Sequence, residues 1–377
     1  MGGRLGLTVQ DMLRILFLGE NWYGSCARAC CYALRRLGCD VTDVDVQTFF
    51  PQVQKRSSRV MLRVLKWRLV REYNTAILRA AETFRPDLLL SFKAQYVLAQ
   101  TLRALRHQGI PLYNYYPDTS AFAHGPLLAE SLPEYDCIFY TKRFWDRDVR
   151  QRILLRNSTY VPHGYDTAIH RPIGLEERDR TQYQTDAVVI ATYTRYKEEV
   201  LHELLGFRPQ LKLTVWGNQW RDRCNSARVK QFVIGEPLVG DSYAEAICAA
   251  KINLALLSGK VQGSSRGDET TTRTYEIPAC RGFMLHERSP ELLELYSEGE
   301  EVACFSSPPE LAEKIDYYLA HPEERDAIAG AGHRRCVPAY SYDNRMAEIL
   351  RWHEQQWSGR QRNPSTAGWG QGEVLQK

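Results

Sequence analysis

The stretch Arg14-Ile-Leu-Phe-Leu-Gly19 is a short apolar run that ends in glycine, which predicts a buried β-strand. Residues 25–37 follow it with apolar positions at helical spacing, and Gly38 then supplies a residue that commonly ends helices. A strand followed by a helix is the repeating unit of a parallel sheet that helices cover on both faces. The start of the chain therefore predicts an α/β fold.

The same alternation continues along the chain in two consecutive series. The first predicts strands near 41–46, 87–92, 111–116, 135–141 and 158–163, with helices near 60–84, 96–107 and 145–154. The second predicts strands near 187–193, 211–216, 231–235, 252–257, 283–286 and 301–305, with helices near 197–205, 242–250, 270–281, 290–296 and 309–319. Two series of similar length predict two Rossmann-like, doubly wound domains that face each other across a cleft.

Composition shifts along the chain predict the domain boundaries. The first domain is predicted at 1–168, a linker at 169–185 and the second domain at 186–338. Residues 339–357 are predicted to form a helix that crosses back onto the first domain. The remaining residues, 358–377, are rich in Gly, Gln and Asn and are predicted to be disordered.

The overall composition excludes several classes of protein. Among 377 residues, 49 are Lys or Arg and 45 are Asp or Glu, and this net charge of +4 does not favour a nucleic-acid binder. The longest apolar runs are far shorter than the roughly 20 residues that cross a bilayer. The N-terminus lacks the pattern of a signal peptide, and ten scattered cysteines without a C-x-x-C pair are typical of free thiols. We therefore expect a cytoplasmic location.

Loops that follow strands are the expected place for a ligand in this kind of fold. The loop 19–24 has neither G-x-G-x-x-G nor Gly-Lys-Ser/Thr, which disfavours a dehydrogenase or a P-loop ATPase. The strongest local signal is the polar loop and helix start at 264–282. Here the residues Arg266, Thr271, Thr272 and Arg273 would suit a diphosphate at a helix N-terminus. The alternative is a capped surface helix whose Asp and Thr side chains satisfy backbone donors.

Seven segments carry a further signal through their order in the chain. They are Tyr160-Val-Pro-His-Gly-Tyr-Asp166, residues 188–197, Leu213-Thr-Val-Trp-Gly217, residues 243–246, residues 251–254, Arg273-Thr-Tyr-Glu276 with its continuation to 285, and Ser341-Tyr-Asp-Asn-Arg345. Together they resemble the donor domain of group 1 glycosyltransferases with the GT-B fold, most closely the CgeB-like (spore-maturation-protein-type) branch. The resemblance implies transfer of a hexose-type sugar from a nucleoside-diphosphate-sugar donor to a hydroxyl acceptor, with retention of configuration.

The resemblance also implies roles for individual residues. Glu276 matches the closing position of the family's Glu-x7-Glu motif and would contact the ribose, while Asp268 replaces the opening Glu beside the donor sugar. Arg195 and Lys197 would hold the diphosphate. His163 and Gly217 lie in matching segments and are assigned to the donor site. Metal is not obligatory in this scheme, so we expect no metal site and no cofactor besides the donor itself.

The acceptor side offers fewer signals. The predicted strand 112–116 leads into Asp118 and His124, and either side chain could take a proton from an acceptor hydroxyl or orient it. Both residues are equally compatible with a capping or surface role.

A basic segment, residues 55–71, has seven Lys or Arg and no acidic residue. Arg56, Arg59, Arg63 and Lys66 share one helical stripe. Such a helix could contact an anionic membrane at the inner face or a phosphate-bearing acceptor such as a lipid-linked sugar. The alternative is a sheet-covering helix with a solvated face.

Two other functions stay open at this point. The same fold serves nucleotide-sugar epimerases, which need no second substrate. A non-catalytic partner protein that binds sugar nucleotides would show the same donor-site pattern.

Overall fold

The computed structural model describes residues 12–51 and 56–357, and it describes only the backbone of residues 56–60, 62 and 178–180. The predicted disordered tail, the N-terminal residues 1–11 and Lys55 lie outside the described residues. Within those residues, no helix has the length and hydropathy that a membrane span requires.

The first domain contains a six-stranded, fully parallel sheet in the order β2-β1-β3-β4-β5-β6. Its strands are β1 (Arg14–Gly19), β2 (Asp40–Asp45), β3 (Leu88–Phe92), β4 (Leu112–Tyr116), β5 (Cys137–Tyr140) and β6 (Ser158–Tyr160). Its helices are α1 (Cys26–Arg36), α2 (Arg56–Phe84), α3 (Ala99–His107), α4 (Pro126–Ser131) and α5 (Trp145–Arg150), with short 3-10 turns at 46–48, 121–124 and 132–134.

The second domain contains a five-stranded parallel sheet in the order β11-β10-β9-β7-β8. Its strands are β7 (Thr185–Ile190), β8 (Leu213–Trp216), β9 (Ala250–Ala255), β10 (Met284–Glu287) and β11 (Ala303–Phe305). Its helices are α6 (Glu177–Tyr183), α7 (Arg195–Phe207), α8 (Trp220–Arg223), α9 (Ala227–Lys230), α10 (Asp241–Ala249), α11 (Arg273–Ala279), α12 (Pro290–Leu295), α13 (Pro308–Ala320) and α14 (Pro322–Cys336). The prediction of two parallel-sheet α/β domains is confirmed.

The first strand–helix unit shows how local sequence signals set the element ends. The Ser25 hydroxyl accepts a hydrogen bond from the backbone N–H of Arg28 at 3.0 Å, which caps the start of α1. At the other end, Gly38 has φ +85°, and the N–H groups of residues 38 and 39 bond the carbonyls of residues 35 and 34. These two bonds form the Schellman motif, which glycine closes without steric strain.

Apolar side chains cover both faces of each sheet, as continuous buried strands require. All ten cysteines are free, and seven of them are buried. Burial raises the pKa of the Cys26 thiol, which lies near the cleft, to about 12. The cysteines therefore act as small apolar core residues rather than as nucleophiles.

The last helix, α15 (Tyr342–Trp357), packs on the first domain although it follows the second. Tyr342, Met346 and Ile349 are buried in the same core cluster as α1. Arg36 of α1 also pairs with both carboxylate oxygens of Asp343, at 2.6 and 2.8 Å. The predicted crossing helix is confirmed, and it ties the end of the chain to the first sheet.

One local prediction was wrong, and the helices α4, α6, α8, α9 and α14 were not predicted. Residues 231–235 form a single bridge, Val215 with Val233, rather than a strand, and α6 lies inside the predicted linker. Helix α14 has no apolar stripe because part of its packing face is glycine: a Cβ on Gly332 would lie 2.4 Å from the carbonyl oxygen of Glu301. Close backbone packing stabilises this helix, and a search for apolar periodicity does not detect it.

Candidate active site

A cleft of about 530 Å³ opens between the carboxyl ends of the two sheets. In each sheet the direction of the strand order reverses beside the first strand, between β1 and β3 and between β7 and β9. Ligands of open parallel sheets bind at such reversals. The loops that follow all four strands line the cleft, so both domains contribute to it.

Lys197 is a buried cation on the second-domain side of the cleft. Thr194 caps α7 by accepting a hydrogen bond from the backbone N–H of Lys197, which directs the first turn toward the cleft. The ammonium donates to the carbonyl oxygen of Thr192 at 3.2 Å and to the hydroxyl of Ser258 at 3.0 Å. Burial, and then the nearby charge of Arg273, lowers the pKa of Lys197 to about 7. Both of its hydrogen-bond partners are neutral, so an anion in the cleft would stabilise the charged form.

Arg273, the first residue of α11, lies beside Lys197 with part of its hydrogen-bonding capacity unused. Its Nη2 donates to the carbonyl oxygen of Leu256 at 3.1 Å. Its Nε is buried without a hydrogen-bond partner in the protein, and so is the hydroxyl of Thr271. Buried donors are nearly always paired in folded proteins. The unpaired Arg273 Nε and Thr271 hydroxyl, together with the positive charges of Lys197 and Arg273, fit a multiply charged anion such as a diphosphate.

Glu276 lies one turn further along α11 and is held by neighbouring hydroxyl groups. Tyr243 donates to Glu276 Oε2 at 2.6 Å, and Thr272 donates to the same oxygen at 3.1 Å. The other oxygen, Oε1, lies 3.9 Å from Nε2 of His170. Because His170 Nδ1 accepts a hydrogen bond from the backbone N–H of Asp166, the ring proton is on Nε2. Glu276 is thus fixed with Oε1 positioned to accept hydrogen bonds from a diol.

Asp268 faces the first domain rather than standing free in the cleft. Its Oδ1 lies 3.0 Å from Lys142 Nζ and accepts a hydrogen bond from the Thr119 hydroxyl at 3.1 Å. Burial alone would raise the pKa of Asp268, but the Lys142 ammonium and these hydrogen bonds hold it below its usual value. Asp268 is therefore a charged group shared between the two domains.

Asp118 lines the first-domain side of the cleft and lies close to two basic side chains. Its Oδ2 lies 2.7 Å from Lys93 Nζ and 2.8 Å from His124 Nε2. Burial would raise the pKa of Asp118, but His124 and Lys93 hold it well below its usual range. His124 contacts Asp118 but does not line the cleft itself.

His163 lies at the junction of the two domains. Its Nε2 donates to the carbonyl oxygen of Pro117 at 3.1 Å, and its Nδ1 faces the Tyr342 hydroxyl at 3.5 Å. Burial, and then the charge of Lys142, lowers the pKa of His163 to about 3. The ring is therefore neutral at physiological pH, and one edge of it lines the cleft.

Gly217 lines the floor of the cleft where β8 ends. It has φ +131°, and a Cβ built there would lie 2.0 Å from the carbonyl oxygen of Ala191. Only glycine allows this close approach of two backbones.

The structure brings nine of the twelve sequence-predicted site residues to the cleft lining: Asp118, His163, Lys197, Gly217, Asp268, Thr271, Thr272, Arg273 and Glu276. It does not bring His124, Arg195 or Arg266 there. The Arg195 side chain is 88% exposed and pairs with Glu199, because it points away from the cleft-facing side of α7. Arg266 is exposed and pairs with Glu269. The chemical roles of the nine remain predictions.

Among the cleft residues that were not predicted, four have a charged or ring side chain that contacts Asp118, Asp268 or Glu276: Lys93, Lys142, His170 and Tyr243. Lys93 and Lys142 each follow a strand at its carboxyl end, so the rule that pointed to Asp118 could have found them. His170 had no local signal, and Tyr243 was noted only as the first residue of the matching segment 243–246. Folding alone brings both residues to Glu276.

Metal ligands are not clustered among the described residues: no group of three or more His, Cys, Asp or Glu side chains there could hold an ion. Two Asp-x-Asp sequences, at 43–45 and 146–148, are engaged in other contacts. Asp43 pairs with Arg35 at 2.6 Å, and Asp146 pairs with Arg150 at 2.8 Å.

Comparison with known proteins adds a family match to this geometry. A model of the family described as glycosyl transferase-like matches residues 195–351, which include α7, α11 and the first part of α15. Over 81 residues the chain is 30% identical to the spore protein CgeB of Bacillus subtilis, a match that covers 22% of the chain and 24% of CgeB. The matched part thus spans about a quarter of the length of this curated relative.

Two solved structures share the architecture of nearly the whole chain. A sucrose-phosphate synthase from Thermosynechococcus elongatus superimposes with a TM-score of 0.66 at 14% identity, covering 92% of this chain and 100% of that one. HepE of Anabaena, in complex with UDP and glucose, superimposes with a TM-score of 0.60 at 12% identity, covering 91% and 100%. At such low identity these likenesses show the fold alone. The chain therefore has the GT-B fold, its residues 195–351 match the glycosyl transferase-like family model, and it resembles CgeB over 81 residues.

Proposed function

We propose that the protein is a glycosyltransferase that moves a sugar from a nucleoside-diphosphate-sugar donor to a hydroxyl acceptor, with retention of configuration and without a divalent metal. The observation that carries this proposal is the row formed by Lys197, Arg273 and Glu276 along one wall of the cleft. Two cations with an unpaired buried donor suit a diphosphate, and a fixed carboxylate one turn away suits a ribose. UDP and UDP-glucose bound to HepE support a donor of this class.

In the proposed reaction, the bond between the anomeric carbon and the diphosphate oxygen breaks, and its electron pair leaves with the diphosphate. Lys197 and Arg273 would stabilise the negative charge that grows on the leaving group, the step at which preorganised cations contribute most. The acceptor oxygen bonds to the anomeric carbon from the same face. Its proton passes to the departing phosphate oxygen, so that charge and atoms balance.

Asp118 is the first-domain residue best placed to meet the acceptor. A carboxylate whose pKa is held well below its usual range is a weak base, so we assign Asp118 to orienting the acceptor hydroxyl rather than to removing its proton. His124 and Lys93 would act through Asp118 as positioning residues.

Product analysis by mass spectrometry tests the proposal. The protein is incubated with UDP-, GDP-, ADP- and TDP-sugars, each with and without a mixed panel of hydroxyl acceptors, and each with and without EDTA. We expect nucleoside diphosphate and glycosylated acceptor to form together, at the same rate with EDTA. Arg273→Ala should abolish formation of both, whereas the exposed Arg195→Ala should not.

Two outcomes would contradict the proposal in different ways. Conversion of a donor to its epimer in the absence of any acceptor would identify an epimerase. Binding of a nucleoside diphosphate without turnover of any donor would identify a non-catalytic binding protein.

A further inference from the structure

Near its N-terminal end, where the structure describes side chains from Met61 onward with the exception of residue 62, α2 exposes apolar side chains to solvent. Met61 is 57% exposed, Val64 is 77% exposed and Leu65 is 36% exposed. Their spacing of three and four residues places them on one face of the helix. Nine residues, or about two and a half turns, separate Met61 from the buried Val70, so the exposed face is opposite to the one that packs on the sheet.

This face differs from the polar outer face of an ordinary sheet-covering helix. Single exposed apolar residues are common on soluble proteins, whereas a contiguous group marks an interaction surface. Trp67, which is 59% exposed, extends the group along the flank of the helix. We define the outer α2 surface as Met61, Arg63, Val64, Leu65, Trp67, Arg68 and Arg71.

The charges within the segment around these apolar side chains are positive. Arg63, Arg68 and Arg71 are exposed beside them, and the segment 55–71 has no acidic residue. The nearest carboxylate along the helix is Glu72, which pairs with Arg68 at 2.8 Å. Exposed apolar and tryptophan side chains within a cationic helix fit the boundary between lipid headgroups and acyl chains.

We propose that the outer α2 surface docks the protein on a lipid bilayer that contains anionic phospholipids. Met61, Val64 and Trp67 enter the headgroup region, and the arginines contact the lipid phosphates. A bilayer fits better than a second protein because it provides an extended apolar boundary and negative charge together. The inference concerns a partner, so it stands apart from the proposed transfer reaction.

Co-sedimentation of the full chain with vesicles tests this inference. The vesicles are phosphatidylcholine alone or phosphatidylcholine with about one third phosphatidylglycerol, which gives the anionic surface that cationic helices recognise. We expect the protein to pellet with the anionic vesicles and to be released by salt, since screening shortens the reach of exposed charges.

Two pairs of variants separate the apolar and the cationic contributions. Met61→Glu/Val64→Glu removes the apolar contact and is matched by Leu154→Glu/Leu293→Glu, which changes two exposed leucines elsewhere. The control for Arg63→Glu/Arg71→Glu is Lys212→Glu/Arg334→Glu. It makes the same change in net charge at two exposed positions of the second domain. Each Arg lost should weaken binding about fivefold, while the matched controls should bind like the original protein.

Several results would overturn the inference. These are equal binding to neutral and anionic vesicles, no binding to either, or equal losses in variants and controls. Sedimentation velocity in the absence of lipid could give a further contradicting result. If the original protein is a dimer and the variant Met61→Glu/Val64→Glu is a monomer, the surface binds a second copy of the chain. Thermal unfolding of each variant shows that it is folded, and a nucleoside diphosphate titration reports separately on the proposed function.

Discussion

Lys142 Nζ lies 3.0 Å from Asp268 Oδ1, so a lysine that follows a strand of the first sheet pairs with a carboxylate in the loop after β9 of the second. Their side chains are 4% and 11% exposed, and Lys142 also donates to the carbonyl oxygen of Thr270 at 2.6 Å. This pair lines the cleft and joins the two domains there. Asp268, on the second domain, is thus bound to the first.

Removing one partner of this pair should destabilise the protein strongly. Lys142→Ala leaves the Asp268 carboxylate buried without its cation, which typically costs about 3–5 kcal/mol of the free energy of unfolding. The double variant Lys142→Met/Asp268→Leu should recover much of this loss, because it leaves no buried charge. Urea denaturation measures the free energy of unfolding of both variants. Losses that add up without any coupling would show that the two side chains do not depend on each other.

Nucleoside diphosphate binding should weaken as the pH rises from neutral to alkaline. The pKa of Lys197 is about 7 in the empty cleft, and a bound diphosphate would raise it, so binding takes up a proton above that pH. The affinity should therefore fall by up to about tenfold for each pH unit above 7. Calorimetric titration across the pH range measures the effect.

Lys197→Arg is the control for this pH dependence. A guanidinium stays protonated throughout the range, so the affinity of the variant should change little with alkaline pH. A profile in the variant as steep as in the original protein would place the titrating group elsewhere. For the stability of the protein without ligand, the sign of the pH dependence is the opposite. The unfolded lysine binds its proton more tightly than the folded one, so its contribution to stability rises with pH from about 7 to the unfolded pKa.

Glu276→Ala should weaken the binding of a nucleoside diphosphate roughly tenfold to a hundredfold, the usual range for a hydrogen bond to a charged group. It should not weaken the binding of the 2′,3′-dideoxy analogue, which has no ribose hydroxyl to donate. Tyr243→Phe removes the bond that fixes Glu276 and should give a smaller effect of the same kind. Glu199→Ala, an exposed change on α7, is the control. Equal losses for both ligands in Glu276→Ala would rule out the ribose contact.

Gly217→Ala should destabilise the protein by about 3 kcal/mol or more, because its Cβ would overlap the carbonyl oxygen of Ala191. Gly109 provides a matched position: it also has positive φ, at +79°, but no atom lies within 4 Å of its Cβ position. Gly109→Ala should cost only about 1 kcal/mol, from backbone strain. Thermal and urea unfolding compare the two, and similar losses would show that strain rather than overlap is limiting.

Strand positions could be predicted well from sequence because buried parallel strands are continuous apolar runs, as in Arg14–Gly19. Residues at strand ends, such as Asp118 and Lys197 near the start of α7, could be assigned to the cleft by topology alone. Arg195 could not be told from Lys197 in this way, since the side of a first turn that faces the cleft depends on how the helix packs. The strand-end rule could have assigned Lys142 to the cleft, but its pairing with Asp268 could not be predicted. The contacts of His170 and Tyr243 with Glu276 were also beyond prediction, because only the tertiary fold brings these residues together.

A crystal structure with the nucleoside diphosphate that binds most tightly would show directly whether Lys197, Arg273 and Glu276 form the donor site. We expect diphosphate oxygens within hydrogen-bond distance of Lys197 Nζ and Arg273 Nε, and a ribose hydroxyl on Glu276 Oε1. A diphosphate bound outside the cleft, at Arg195 or Arg266, would contradict this expectation, as would a nucleotide in the cleft that leaves Arg273 Nε unpaired.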